Sequence, residues 1–289
     1  MSFRSWPQLA RLSNAPTIVS NTLVGWTIGM RPAGGADWDG IVSTTVAMLL
    51  LYIGGMALND VMDVEIDRRE RPGRPIPSGA ISRYSATLFV VACFAIALGL
   101  LARRDWMALA YGFVLMVAII LYNALHVRHA ASVILMGLCR GLVYLTAALA
   151  AGGTPQWSVL ALFAAAIVMY VLLFSLIARR ETGLGKMRFE EIVVLAPMFA
   201  VIFAEFVPSS AAAWMTILGR GAFLLWTLGI AVYVRSPQRD LGRAVGWWIA
   251  GIALLDLYHL TRLDQPLAAL IAGACSALAL AGQRWIAGS

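Results

Sequence analysis

Charge is scarce in this chain. Only 13% of its 289 residues are Asp, Glu, Lys or Arg, whereas 61% are hydrophobic. A soluble domain carries roughly a quarter charged residues, so this balance excludes one and points to a polytopic membrane protein. Cysteine is almost absent too. Cys93, Cys139 and Cys275 stand isolated inside apolar segments, which excludes a disulfide framework or a thiolate zinc site and leaves them as small core residues. No low-complexity tract or soluble linker interrupts the sequence, and no clear cleavage site precedes the first apolar segment. Residues 1–289 therefore read as a single integral membrane domain in a lipid bilayer.

What the chain has in abundance is apolar sequence in pieces of span length. Candidate segments lie near 15–31, 40–60, 83–102, 106–125, 131–151, 157–178, 191–207, 212–234, 243–260 and 265–283. Each is long enough to cross roughly 30 Å of hydrocarbon at about 1.5 Å per helical residue. The expectation is an all-α bundle of nine or ten transmembrane helices, with 243–260 the doubtful one because it holds Asp256 and His259. If the segments alternate, one set of ends holds sixteen Arg and Lys residues, from Arg4 and Arg11 to Arg284. The other holds four: Arg31, Arg103, Arg104 and Arg262. Positive residues stay in the cytoplasm, so the net charge of +7 is a signal of topology and not of nucleic-acid binding. The expected location is a bacterial inner membrane.

Acid is expensive beside hydrocarbon and marks a functional site by default. The run Asn59-Asp60-Val61-Met62-Asp63-Val64-Glu65-Ile66-Asp67 directly follows the apolar stretch Ile41–Leu58. On one continuous helix Asp60, Asp63 and Asp67 fall at i, i+3 and i+7, on a single face. Three carboxylates so placed repel unless a cation lies between them, and hard oxygen ligands favour Mg²⁺ bridged to phosphate oxygens. Arg68, Arg69, Arg71 and Arg74 follow within a few residues, and guanidinium groups bind phosphate bidentately. Pro75, Pro77 and Gly79 then predict a compact turn.

The string NDVMDVEIDRRERPGRPIPSGAIS resembles the first signature of the UbiA superfamily of intramembrane prenyltransferases, N-D-x-x-D-x-x-x-D followed by R-P-x-R-P-I-P-S-G. The resemblance implies a helical bundle around a central cavity, a prenyl diphosphate donor and a Mg²⁺ cofactor. It implies that Asp60 and Asp63 bind Mg²⁺ with help from Asn59, that Asp67 holds a further water or metal, and that Arg71 and Arg74 clamp phosphate. The diphosphate then leaves, and an allylic cation is attacked by an acceptor that the sequence does not identify. A membrane terpene cyclase and a non-catalytic prenyl-lipid carrier on the same bundle are the alternatives.

The family's second acidic motif is altered. Its aspartates are missing from Phe174–Lys186, where Glu181 is the one carboxylate. Either Glu181 helps hold a second metal, or Arg180, Lys186 and Arg188 bind the diphosphate directly in its place. Tyr122, Asn123 and Arg128 lie in a segment similar to a family tyrosine–asparagine–leucine–lysine stretch, with His126 where lysine is common. They are expected to line the cavity and its phosphate mouth, or to act as interfacial anchors. Arg140, between Gly137 and Gly141 deep in the fifth candidate span, needs a partner. That partner is the first motif, the diphosphate, Asp256 or Glu205. Asn14 and Asn21 fit the polar end of the cavity, or respectively a helix cap and an interhelical hydrogen bond. Tyr122 and Tyr144 are expected to offer aromatic faces to the cation. Asp256 and His259 read as an interfacial polar cluster.

Overall fold

A computed structural model describes residues 5–30, 37–127, 129, 131–178, 200–209, 211–236 and 240–286. Among them the regular structure is all helix. We number the helices α1 (Ser5–Leu9), α2 (Pro16–Gly29), α3 (Trp38–Met62), α4 (Val64–Glu70), α5 (Arg83–Ala102), α6 (Trp106–Leu125), α7 (Ser132–Ala150), α8 (Trp157–Ala178), α9 (Ala213–Arg235), α10 (Leu241–Arg262) and α11 (Pro266–Gln283). A single 3₁₀ turn, Leu12–Asn14, joins α1 to α2.

Eight helices among the described residues, α3 and α5 to α11, are long and apolar enough to cross a membrane. Four polar residues outside the spans start helices. Asp37, Ser82, Asp105 and Asp240 accept hydrogen bonds from the first-turn amides of Gly40, Ser85, Met107 and Arg243, supplying partners that a helix start lacks. The Gly40 amide, and then the Arg104 guanidinium, hold the Asp37 carboxyl below its ordinary pKa. This cap is therefore complete above the usual aspartate range and fades as pH falls through the lowered value.

The doubtful segment 243–260 is a full helix, α10, and the most enclosed of the eight, with 72% of its window buried. Hydropathy undervalues it because it faces helices rather than lipid, and protein neighbours satisfy its polar groups. The first predicted segment is shorter than expected: α2 has 14 residues and is likewise interior.

Two apolar clusters form the core. One joins α1, α3, α5 and α6, and the other joins α8 to α11 with residues 200–207. Helices α2 and α7 contribute to both. They approach closely because Gly25 and Gly29 lie one turn apart on α2, where any Cβ would collide with the Tyr144 and Ala148 carbonyl oxygens of α7. Small residues allow such contact where lipid gives no hydrophobic push between helices. Gly25→Val should force the pair apart and cost about 3 kcal/mol, read as a lower unfolding temperature in detergent. An unchanged temperature would mean that this crossing is not tight.

Arg104 pairs with Asp37 and donates to the Ala150 carbonyl, and the Gly153 amide donates to the Gly29 carbonyl. These bonds gather the end of α2, the start of α3, and the α5–α6 and α7–α8 turns at one face. Trp38, Trp106 and Trp157 open α3, α6 and α8, and each is more than half exposed. They suit an interfacial aromatic belt. The acidic motif lies at the opposite face.

Candidate active site

Asp60 and Asn59 sit on the last turn of α3, both buried. The helix does not continue straight through the motif. α3 ends at Met62, α4 begins at Val64, and Asp63 is the junction between them (φ −87°, ψ 6°). This corrects the single-face reading, because across the break Asp60 and Asp67 share one partner while Asp63 takes others. Arg74 Nη1 donates to Asp60 Oδ1 at 3.2 Å and to Asp67 Oδ2 at 2.6 Å. Asp63 Oδ2 instead accepts from Asn59 Nδ2 at 3.1 Å and lies 2.9 Å from His126 Nε2. Among the described residues no three His, Cys, Asp or Glu side chains converge as a metal cluster.

The loop after α4 folds back as predicted. The Arg74, Ser78, Gly79 and Ile81 amides donate to the Arg71, Arg74, Ile76 and Pro75 carbonyls, and Gly79 takes φ +76°. That conformation disfavours other residues. The turn brings Arg74 onto the acids, whereas Arg71 is exposed on the loop.

From sequence Arg11 is only a topological charge, yet it belongs to the site. Nη2 donates to Asn59 Oδ1 at 3.0 Å and lies 3.6 Å from Asp60 Oδ1. Its backbone is left-handed (φ 43°), and its carbonyl accepts from Tyr52 OH at 3.0 Å. A non-glycine residue held this way stores strain of about 1–2 kcal/mol, a feature concentrated at functional sites. No sequence signal separates Arg11 from the other cations at its face.

Arg11 and Asn59 connect the acids to a cavity of about 190 Å³. Its polar lining is Arg11, Asn14, Tyr52, Asn59, Tyr122, Asn123 and Arg140, and most of the rest is apolar, including Ile18, Met48, Leu51, Leu115, Val143, Phe174 and Ile252. This is smaller than a usual ligand pocket of about 300–1,000 Å³. Asn14, Tyr122 and Asn123 line the cavity as expected. Asn14 is not the helix cap: the cap position is Ala15, and Asn14 Oδ1 accepts from Gln283 Nε2 at 3.2 Å. Tyr122 stacks on His126, centroid to centroid 5.4 Å. Cys139 also lines the cavity.

Two expectations need correction. Tyr144 does not line the cavity. It is fully buried, and its hydroxyl donates to Asp256 Oδ1, so its face is not offered to a ligand there. Asp256 and His259 are not interfacial either, because both are wholly buried in α10. His259 stacks on Phe163 at 4.0 Å and reaches Tyr144 OH at 3.3 Å. Asn21 makes the interhelical bond, with Nδ2 donating to Asp256 Oδ2 at 2.7 Å and Oδ1 accepting from Arg140 Nη1 at 2.8 Å. Glu205 is engaged by Arg220, Arg262 and Tyr258 and is not the partner of Arg140. Arg128, Arg180, Glu181, Lys186 and Arg188 lie outside the described residues.

An intramembrane helical bundle with an acid–arginine cluster at the end of an apolar cavity defines the class. The sequence pattern of the UbiA prenyltransferase family matches residues 18–287, and the chain belongs to that family. Among curated relatives, digeranylgeranylglyceryl phosphate synthase of Methanopyrus kandleri is 36% identical over 121 residues, 42% of this chain and 43% of that protein. The Sulfolobus acidocaldarius protein of the same name is 30% identical over 182 residues, 61% of each chain. The alignments thus span less than two thirds of these relatives. A UbiA homologue from Archaeoglobus fulgidus, solved bound to GPP and Mg²⁺, superposes with a TM-score of 0.67 at 15% identity. That match covers 90% of this chain and 99% of the other. The same fold recurs in a UbiA homologue of that organism bound to DMAPP and Mg²⁺ (TM-score 0.65, 16% identity, 90% and 99% covered). These structures share the bundle with this integral membrane protein.

Proposed function

We propose that this protein is a Mg²⁺-dependent prenyltransferase that ionises a prenyl diphosphate and passes the prenyl group to a nucleophilic acceptor. The observation that carries this reading is that Asp60 and Asp67 reach one common cationic atom, Arg74 Nη1, beside an apolar intramembrane cavity. Two carboxylates able to share one cation, with Asn59 next to Asp60 and Asp63 one turn on, form a hard-oxygen donor set that suits Mg²⁺ completed by phosphate oxygens. Asp60, Asp67 and Asp63 would hold the metal. When bound, Mg²⁺ supplies positive charge to the departing diphosphate.

The chain's own groups do the rest. Arg11 and Arg74 bind phosphate oxygens and stabilise the charge that develops as the allylic C–O bond breaks. Arg71 extends this clamp from the loop. Asn59 holds Arg11 and Asp63 in place. The apolar wall keeps water from the cation, and Tyr52, Tyr122 and Phe174 supply aromatic faces along it. The excess of Arg and Lys at this face supports a mouth on the cytoplasmic side of the plasma membrane.

The test is diphosphate release from geranyl, farnesyl and geranylgeranyl diphosphates by purified protein in nanodiscs. It is run with and without Mg²⁺ and with and without membrane extract as acceptor source. Release that requires Mg²⁺ and rises with extract is expected. Donor binding without release would make the protein a carrier, and a cyclic hydrocarbon formed without extract would make it a cyclase.

A further inference from the structure

A second cavity, of about 1000 Å³, lies at the face away from the acidic motif. Helix α2 is interior and packs against both α3 and α11, and its residues Leu23, Trp26 and Thr27 form the back of the cavity. Trp38 of α3 and Leu267 and Ile271 of α11 line it as well, and all three are exposed on the lipid side of the bundle.

The lining turns from polar to apolar with depth. Asp37 precedes Ile41 at the start of α3, Gln156 precedes Val159 at the start of α8, and Gln265 precedes Leu267 and Ile271 at the start of α11. All three helices begin at this face, so the later residue in each pair lies deeper in the membrane. Trp38 and Trp157 mark the interface. A membrane lipid has the same order, with a polar head at the interface and chains in the hydrocarbon.

The polar end carries both signs of charge and no net charge. Arg104 and Asp37 are the charged residues among those described that line the cavity, and they pair with each other. The Arg104 guanidinium lies over the Trp26 ring, 5.6 Å from its centroid, and Nε donates to the Ala150 carbonyl at 3.3 Å. Among the described residues Arg104 Nη1 makes no hydrogen bond, nor do the side chains of Thr27, Thr154, Gln156 and Gln265. A purely anionic head would bring Arg104 its counter-ion but set a charge against Asp37. A zwitterion satisfies both. The amide and hydroxyl oxygens accept hydrogen bonds from a primary ammonium, whereas a quaternary ammonium has none to donate.

We propose that this cavity binds one zwitterionic phospholipid of the phosphatidylethanolamine kind. Its phosphate meets Arg104 Nη1, its ammonium meets Asp37 and the Gln156 and Gln265 oxygens, and an acyl chain runs along Ile41, Leu267 and Ile271. The bound lipid joins α3 to α11 across α2. The site is separate from the acidic motif and does not rest on the prenyl-transfer reading.

The experiment is native mass spectrometry of the full-length protein in detergent. It is titrated with dioleoyl-phosphatidylethanolamine, dioleoyl-phosphatidylcholine and dioleoyl-phosphatidylglycerol, and the Kd of the first bound lipid is read for each. The ethanolamine lipid should bind roughly fivefold tighter than the other two, or better. Thr27→Phe sets a ring inside the cavity and should weaken that Kd by about tenfold or more. Asp37→Asn keeps an oxygen for the Gly40 amide and removes the charge, so it should bring the ethanolamine lipid to the Kd of the choline lipid. Equal Kd for the three lipids overturns the proposal, as does a preference for either of the others. So does an unchanged Kd in Thr27→Phe, or a preference that survives Asp37→Asn. Should Thr27→Phe fail to fold, Thr154→Trp decides by the same criterion, because Thr154 lines the cavity from an exposed turn. Diphosphate release takes no part in the readout, so failure here leaves the transferase reading standing.

Discussion

Asp63→Ala is expected to lower Mg²⁺-dependent diphosphate release by about 10³-fold while the protein stays folded. A loss of that size corresponds to roughly 4 kcal/mol of transition-state stabilisation. Asp63 sits at the break between α3 and α4, is half-buried, and contacts Asn59 and His126 rather than the apolar core. Its removal leaves the packing of both clusters untouched and sacrifices hydrogen bonds worth about 1 kcal/mol each. On the proposed function it would also remove one of the three carboxylates that would hold Mg²⁺, and it frees Asn59 to move with Arg11. Rate and unfolding temperature should be measured on the same nanodisc preparation. Turnover at the wild-type rate would remove Asp63 from the metal site, and loss of folded protein would make its role structural.

Arg74→Ala is expected to act in the opposite way, through stability before rate. Asp60 and Asp67 are 5% and 6% exposed at their side chains, and both bond to the one guanidinium. Removing it leaves two enclosed carboxylates facing each other, with Arg11 the one described cation left near Asp60, at 3.6 Å. Loss of one partner from a buried ionic group costs about 3 kcal/mol or more. A divalent cation can take the place that Arg74 leaves, so Mg²⁺ should raise the unfolding temperature of Arg74→Ala more than that of wild type. A Mg²⁺ shift no larger than that of wild type would show that Asp60 and Asp67 do not share a metal.

The sequence fails in one instructive way at the first motif. Composition and spacing identify Asn59, Asp60, Asp63 and Asp67, and the loop from Arg71 to Gly79, as a single functional unit, and the structure brings them together. Helical spacing alone, however, sets the acids on one face. The chain breaks at Asp63, so two acids go to Arg74 and the third goes to His126. No glycine or proline within the motif marks the place of that break.

What the sequence determined by itself is the class of the molecule and the address of its acids. Apolar runs of span length permit only a helical bundle in lipid, and carboxylates beside them must have a purpose. Tertiary structure alone decided the partners. Arg11 enters the site because α1 and the turn before α2 fold against α3, and Tyr144 leaves it because α7 turns that ring toward Asp256. Asp256 and His259 lower the hydropathy of a helix that proves the most enclosed of the eight described spans. Hydropathy measures transfer of a segment into lipid, whereas an interior helix is solvated by its neighbours, and only the packed bundle supplies those.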